Sequence, residues 1–237
     1  MENTTNPYLL GKILLFDKPY RWTSFDVAKK VKFLLKKRFQ LKDIKVGHAG
    51  TLDPLATGLI IVCTGKATKL IDGIQSQAKE YIANIKLGET TPSYDLETEV
   101  DKTFPHEHIT AEMITQTLQK FIGEQEQTPP IFSAKKIDGK RAYTYARNGE
   151  DVVMKKAIVN MYDLEWVINE KKLPWIDVRI ACSKGTYIRS FAYDFGLALQ
   201  SGAHLTGLRR TKIGDYKVEN AINPDSFGDL LLKEPEF

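Results

Sequence analysis

Cysteine is nearly absent: Cys63 and Cys182 are the only two in 237 residues, each in an apolar, strand-like stretch. Neither sits in a metal or redox spacing, which excludes a disulfide framework and a thiolate site; buried thiols in a reducing compartment are expected. Long apolar runs are also missing. Nothing approaches the ~20 residues of a membrane span, and Met1-Glu2-Asn3-Thr4-Thr5 is no signal peptide, so a cytoplasmic protein without membrane attachment is expected. Net charge is only +4, too mild to announce a nucleic-acid binder by itself. Gly58-Leu59-Ile60-Ile61-Val62-Cys63-Thr64-Gly65-Lys66 lacks Walker spacing, and no Rossmann fingerprint occurs, so no nucleotide cofactor is implied. His106-Glu107-His108 follows Pro105 and has no third ligand nearby, which reads as a surface loop and not a metal site. No internal repeat and no Gly/Ser-rich linker divides the chain, so residues 1–237 read as one domain.

What is present is an irregular mixture of helix and strand signals, which favours an α+β fold. Strands are expected near 11–16, 59–63, 80–87, 157–168, 175–182 and 204–213. In the third, Tyr81, Ala83, Ile85 and Leu87 alternate onto one face. Helices are expected over 24–39, capped by Thr23 or Ser24, near 68–75, over 110–122 and over 186–199, with a last turn near 224. In the first, Phe25, Ala28, Val31, Leu35 and Phe39 recur at helical spacing, and Ile109 with Ile114 could staple the third. Residues 123–149 form a polar stretch with Pro129-Pro130 and no clear period, functional or mobile by length alone.

The most informative segment is Gly47-His48-Ala49-Gly50-Thr51-Leu52-Asp53-Pro54-Leu55-Ala56-Thr57-Gly58. Its glycines and proline exclude a helix and make a shaped loop, and Pro54 biases Asp53 toward extended backbone. A carboxylate on a stiff loop before a buried strand is how a catalytic acid is often mounted; a turn-capping aspartate is the plainer alternative. The loop resembles the signature of the TruB family, the tRNA uridine-55 pseudouridine synthases. Five further motifs carry the resemblance in order from about Gly11 to Thr211. They are Phe16-Asp17-Lys18-Pro19, Lys79-Glu80-Tyr81, Pro129-Pro130-Ile131-Phe132-Ser133-Ala134-Lys135-Lys136, Cys182-Ser183-Lys184-Gly185-Thr186-Tyr187-Ile188-Arg189 and Leu208-Arg209-Arg210. Two places depart from the pattern: the usual His-Thr-Gly is His48-Ala49-Gly50, and the frequent Thr-Asp-Thr is Thr91-Pro92-Ser93.

The resemblance implies a mixed, largely antiparallel sheet with surrounding helices, and isomerisation of uridine 55 in the tRNA T loop by base flipping. It implies Asp53 as nucleophile, Arg189 as the arginine paired with it, and Tyr81 against the target base as a candidate proton acceptor. His48, Tyr187, Leu208 and Asp95 match positions that meet the RNA or the bound uridine. Pseudouridine formation has no redox or phosphoryl step, so no metal or cofactor is expected. The motifs end near the end of the chain, so no separate C-terminal RNA-binding domain is expected, and a monomer binding the T arm of tRNA follows.

Charge distribution fits this reading. Lys29, Lys30, Lys32, Lys36, Lys37 and Arg38 crowd one helix, while Lys135, Lys136, Lys140, Arg141 and Arg147 gather with Tyr143 and Tyr145 in the insertion at about 123–150. Phosphates and unstacked bases want such surroundings, although a solvated helix face explains the first cluster equally. Lys135, Lys136, Lys140 and Arg141 are the expected RNA contacts. Two rivals remain. A non-catalytic tRNA-binding module would gain nothing from Asp53 and Arg189, and a glycoside hydrolase would want a second acid that no spacing identifies.

Overall fold

The computed structural model describes residues 6–133, 135–137, 139–148, 150, 152–167, 170 and 172–235. Helices are α1 (Pro7–Leu10), α2 (Ser24–Arg38), α3 (Ile71–Ser76), α4 (Ala111–Lys120), α5 (Ala142–Arg147), α6 (Ile188–Ala198) and α7 (Phe227–Leu232). Strands are β1 (Ile13–Lys18), β2 (Val46–Ala49), β3 (Ala56–Thr64), β4 (Lys79–Leu87), β5 (Glu89–Thr90), β6 (Lys102–Thr103) and β7 (Gly123–Gln127). After them come β8 (Lys136–Ile137), β9 (Lys140–Arg141), β10 (Ala157–Val167), β11 (Trp175–Cys182), β12 (Ala203–Ile213) and β13 (Tyr216–Lys217). Every pairing with a described register is antiparallel, apart from an isolated parallel bridge between Phe16 and Ile222. The fold is α+β.

The chain forms two compact units, one from the segment up to Tyr81 together with Arg209 onward, the other Ile82–Leu208. In the first unit β3 is central. It pairs with β1 in the register Asp17↔Leu59 and with β2 in the register His48↔Val62, and β12 neighbours it in the sheet. Its continuous apolar run has a direct cause, because both faces of the strand are covered. Ile60 and Val62 enter a core with Phe16, Val27, Val31, Leu35 and Phe227, while Leu59, Ile61 and Cys63 enter another with Ile74, Ile213 and Val218. Each such side chain contributes about 1.5–3 kcal/mol on burial, which fixes the strand and hence the loop that precedes it.

Helix α2 begins on a capping box. Thr23 Oγ1 accepts from the Asp26 N–H, and the Asp26 carboxylate accepts from the Thr23 N–H at 2.9 Å. The helix buries Val27, Ala28, Val31 and Leu35. Phe25, assigned to the inner face by its spacing, instead stands 66% exposed. With Ser24 as the first helical residue, Val27 takes the inward position and Phe25 the opposite one.

In the second unit the sheet runs β4-β11-β10-β7. Strand β4 buries alternate residues as its pattern requires. Helix α6 packs its apolar face through Phe191 and Phe195, whose rings lie 5.7 Å apart, with Phe121 edge-on to Phe191. Two local expectations change. Residues 123–127 are strand β7, paired Ala157↔Gln127 to Met161↔Gly123 with β10, so the irregular stretch starts later. Val46–Ala49 is likewise strand, so the shaped loop is shorter than its glycines suggest.

Candidate active site

Asp53 lies between β2 and β3 on a loop tied down on both sides within the first unit. The Leu52 N–H donates to Ser24 Oγ at 2.8 Å, and the Leu52 side chain is buried. The Pro54 carbonyl accepts from the Arg21 N–H at 2.8 Å and from Lys18 Nζ at 3.3 Å, and the Asp53 carbonyl accepts from the Ala56 N–H at 3.1 Å. Arg210, almost fully buried, donates from Nη2 to the Gly50 carbonyl at 3.0 Å and from Nε to the Leu59 carbonyl at 2.8 Å. One guanidinium therefore closes both ends of the loop. Its fork geometry reaches two carbonyls that a lysine could not span.

Lys18 is another buried cation of this unit. Its ammonium also donates to the carbonyls of Pro19 at 3.0 Å and Trp22 at 2.5 Å. Burial pushes its pKa down to about 8, against the attraction of the Asp53 carboxylate and with the repulsion of Arg210. His48, half-buried on β2, is held neutral more firmly than usual by burial and by the charge of Arg210. Its buried Nδ1 has no hydrogen-bond partner among the described residues. Tyr81 ends this unit's part of β4 and is buried on the same face as Ala83 and Ile85.

The second unit gathers Asp95, Tyr187 and Arg189. Arg189, in the first turn of α6 and buried, donates from Nη1 to the Phe132 carbonyl at 2.8 Å and to the Ser93 carbonyl at 3.4 Å. Its Nε lies 3.6 Å from Asp95 Oδ2, and the other Asp95 oxygen accepts from the Glu97 N–H at 2.9 Å. Asp95, read from sequence as a polar cleft residue, is thus an ion partner of Arg189, despite the altered Thr91-Pro92-Ser93 before it. Tyr187 is the N-cap of α6, and both polar groups of its peptide are bound by one amide: Gln127 Oε1 accepts from its N–H at 2.8 Å and Gln127 Nε2 donates to its carbonyl at 3.0 Å. Ser190 Oγ donates to the Thr128 carbonyl at 2.7 Å. The start of α6 and the Pro129-Pro130 segment are therefore one hydrogen-bonded assembly. Ser133 Oγ, next to Phe132, is buried without a partner among the described residues. Leu208 lies in β12, half-buried.

In the insertion, Lys136–Ile137 and Lys140–Arg141 form a two-stranded hairpin leading into α5. Lys135 Nζ donates to the Lys155 carbonyl at 3.0 Å, and Lys140 is exposed with its ammonium 5.9 Å from the Tyr145 ring centre. The side chains of Lys136, Arg141, Tyr143 and Arg147, and Ala134, lie outside the described residues. No group of acidic, histidine and cysteine side chains that could hold a metal occurs among the described residues, and no helix there is long and apolar enough to cross a membrane.

Sequence reasoning singled out Asp53, His48, Tyr81, Asp95, Tyr187, Arg189 and Leu208, but not the residues that hold them. Lys18, Ser24, Arg210 and Gln127 are those. Lys18 and Arg210 stood in plain view inside their motifs, but Asp17 and Pro19 flank the first and Arg209 and Thr211 the second, so no apolar neighbour marked either as a buried cation.

Comparison with known proteins identifies the family. Residues 36–188 match the TruB family pseudouridylate synthase N-terminal domain. The tRNA pseudouridine synthase B of Phocaeicola vulgatus is 55% identical over 221 residues, 93% of either chain, and that of Flavobacterium johnsoniae is 55% identical over 229 residues, 96% of this chain and 99% of its own. A chain in the crystal structure of a Cbf5-Nop10-Gar1 complex matches with a TM-score of 0.69 and 30% identity over 94% of this chain; the match spans 54% of that longer chain. The chain belongs to the TruB family of pseudouridylate synthases.

Proposed function

We propose that this protein converts uridine 55 in the T loop of tRNA to pseudouridine, with Asp53 as the nucleophile. The single observation that carries the proposal is the Asp53 loop, whose backbone is fixed at Gly50, Leu52, Pro54 and Leu59 by Arg210, Ser24 and Lys18. A carboxylate whose own backbone cannot drift is preorganised for attack, since small misplacements are costly in rate. The near full-length relatives bearing the name tRNA pseudouridine synthase B support the choice of tRNA.

The isomerisation detaches uracil from its sugar, turns it and rejoins it through C5, and the C5 proton must then leave. Asp53 forms and releases the covalent bond. Arg189 is the cation that the family resemblance implies for it, and Tyr81 lies against the base and serves the departing proton. The target must be flipped from its stack at a cost of a few kcal/mol. His48, Tyr187, Leu208 and Asp95 are assigned to holding the RNA and the flipped uridine, and Lys135, Lys136, Lys140 and Arg141 to its phosphates. Neither oxidant nor phosphoryl donor enters this chemistry, so we assign no metal or cofactor. The protein acts in the cytoplasm as a monomer with one catalytic domain.

The test is incubation of the protein with a T-arm hairpin carrying tritium at C5 of the target uridine. Release of tritium to water, with pseudouridine at that position alone, is the expected result. Retention of the label, or free uracil as product, contradicts the proposal.

A further inference from the structure

Four residues on the outward side of α2 repeat at a strict interval of four: Phe25, Lys29, Phe33 and Lys37, and all four are exposed. Phe25 is 66% and Phe33 62% exposed, unusual for phenylalanine on a helix whose inner face is already filled by Val27, Val31 and Leu35. Residues four apart on a helix are neighbours about 6 Å apart along the axis, so the four make one stripe about 18 Å long. Three other cations of the helix are occupied: Lys30 pairs with Asp225, Lys32 with Asp43, and Arg38 donates to the Leu231 carbonyl; Lys36 is half-buried and outside the row. Lys29 and Lys37 make no ion pair among the described residues. Beside the stripe lies a groove of about 530 Å³, lined by Arg21, Trp22, Asp26, Lys29, Lys30 and Phe33, where Lys30 lies 5.3 Å from the Trp22 ring centre. The one carboxylate there, Asp26, is engaged by Thr23 in the capping box.

We propose that this stripe is a docking surface for a single-stranded segment of RNA. Alternating cations and flat apolar rings with no carboxylate in the row complement a strand that alternates phosphates with bases; phosphates meet the lysines and unstacked bases the rings. A protein partner buried on Phe25 and Phe33 would gain from an apolar row and would have to strip water from the intervening ammonium groups. The groove adjoins the Asp53 loop through the Ser24–Leu52 and Arg21–Pro54 hydrogen bonds, but the four stripe residues are none of those assigned to the reaction. It takes from the proposed function only that the substrate is RNA.

The experiment measures binding of the full chain to a short, labelled single-stranded RNA of mixed sequence across a salt series. The same series uses the duplex form and anionic phosphatidylserine vesicles, and sedimentation reports self-association. F25S/F33S is expected to weaken single-strand binding about tenfold at every salt concentration and to leave duplex binding unchanged, because paired bases offer no free faces. K29Q/K37Q is expected to lower the slope of log affinity against log salt by about 1.4, roughly 0.7 for each phosphate that is no longer neutralised. All four positions are exposed, and melting curves confirm that the variants fold. Unchanged single-strand affinity and slope overturn the proposal. So does equal loss on duplex RNA, loss confined to the vesicles, or a wild-type dimer dissolved by F25S/F33S. Binding is read without turnover, so a negative tritium assay would sink the proposed reaction and leave this surface standing.

Discussion

The backbone of Arg210 occupies the place where a side chain on Gly58 would stand: a Cβ built there comes within 2.3 Å of the Arg210 carbonyl oxygen and 2.7 Å of its nitrogen. Gly58 also has φ of +101°, which disfavours any other residue. Its neighbour Leu59 accepts the Arg210 guanidinium, so the bare glycine lets β12 lie close enough for the loop clamp to form. Gly58→Ala should therefore cost at least the roughly 1–3 kcal/mol of a strained backbone position. Because the clamp is displaced as well, turnover should fall further than stability alone explains. Denaturant melts beside single-turnover rates check this; an alanine variant with wild-type rate and stability contradicts it.

Lys18 sets an expected pH dependence. Its folded-state pKa of about 8 lies below the ordinary 10.5, so between these values the unfolded chain holds more protons and the stability owed to this group rises with pH. The positive charge facing Asp53 vanishes over the same range. Turnover should thus fall through about pH 8 while the fold holds, and Lys18→Met should be slower and lack that limb. A limb near pH 8 that persists in a folded Lys18→Met protein would assign it elsewhere.

Asp194 on α6 carries no hydrogen bond or ion pair among the described residues, and burial raises its carboxyl to about 6. The folded state then binds the proton more tightly than the unfolded chain between 3.8 and about 6, so this group's contribution to stability falls as pH rises through that window. Asp194→Asn should raise the melting temperature at pH 7, with the gain shrinking below about pH 4. A lower melting temperature at pH 7 would show that the ionised carboxylate has a stabilising partner.

Much of the frame was legible because it rests on local periodicity. The alternation from Tyr81 to Leu87 is read at once, and the apolar run Leu59–Cys63 has the composition expected of a buried strand. The inner face of α2 was misplaced by one step at Phe25, since composition cannot distinguish an exposed aromatic from a core one without the capping box that sets the helix phase. Strand β7, Gly-Glu-Gln-Glu-Gln, was hidden because it lies at the end of its sheet order, where polar residues are tolerated and no apolar alternation marks it. The chemistry-bearing residues were legible through motif order. Their supports were not, because the Arg210–Gly50 and Gln127–Tyr187 hydrogen bonds join positions 160 and 60 residues apart, and no local pattern encodes them.

The central claim is that Asp53 performs the covalent step while its surroundings bind RNA. Asp53→Asn preserves size and the loop's hydrogen-bonded backbone and removes only the nucleophile. Single-turnover conversion of a T-arm hairpin, measured alongside the hairpin's dissociation constant, tests this most directly. The expected result is pseudouridine below detection with affinity within a few-fold of wild type. Appreciable pseudouridine formation by Asp53→Asn would contradict the assignment.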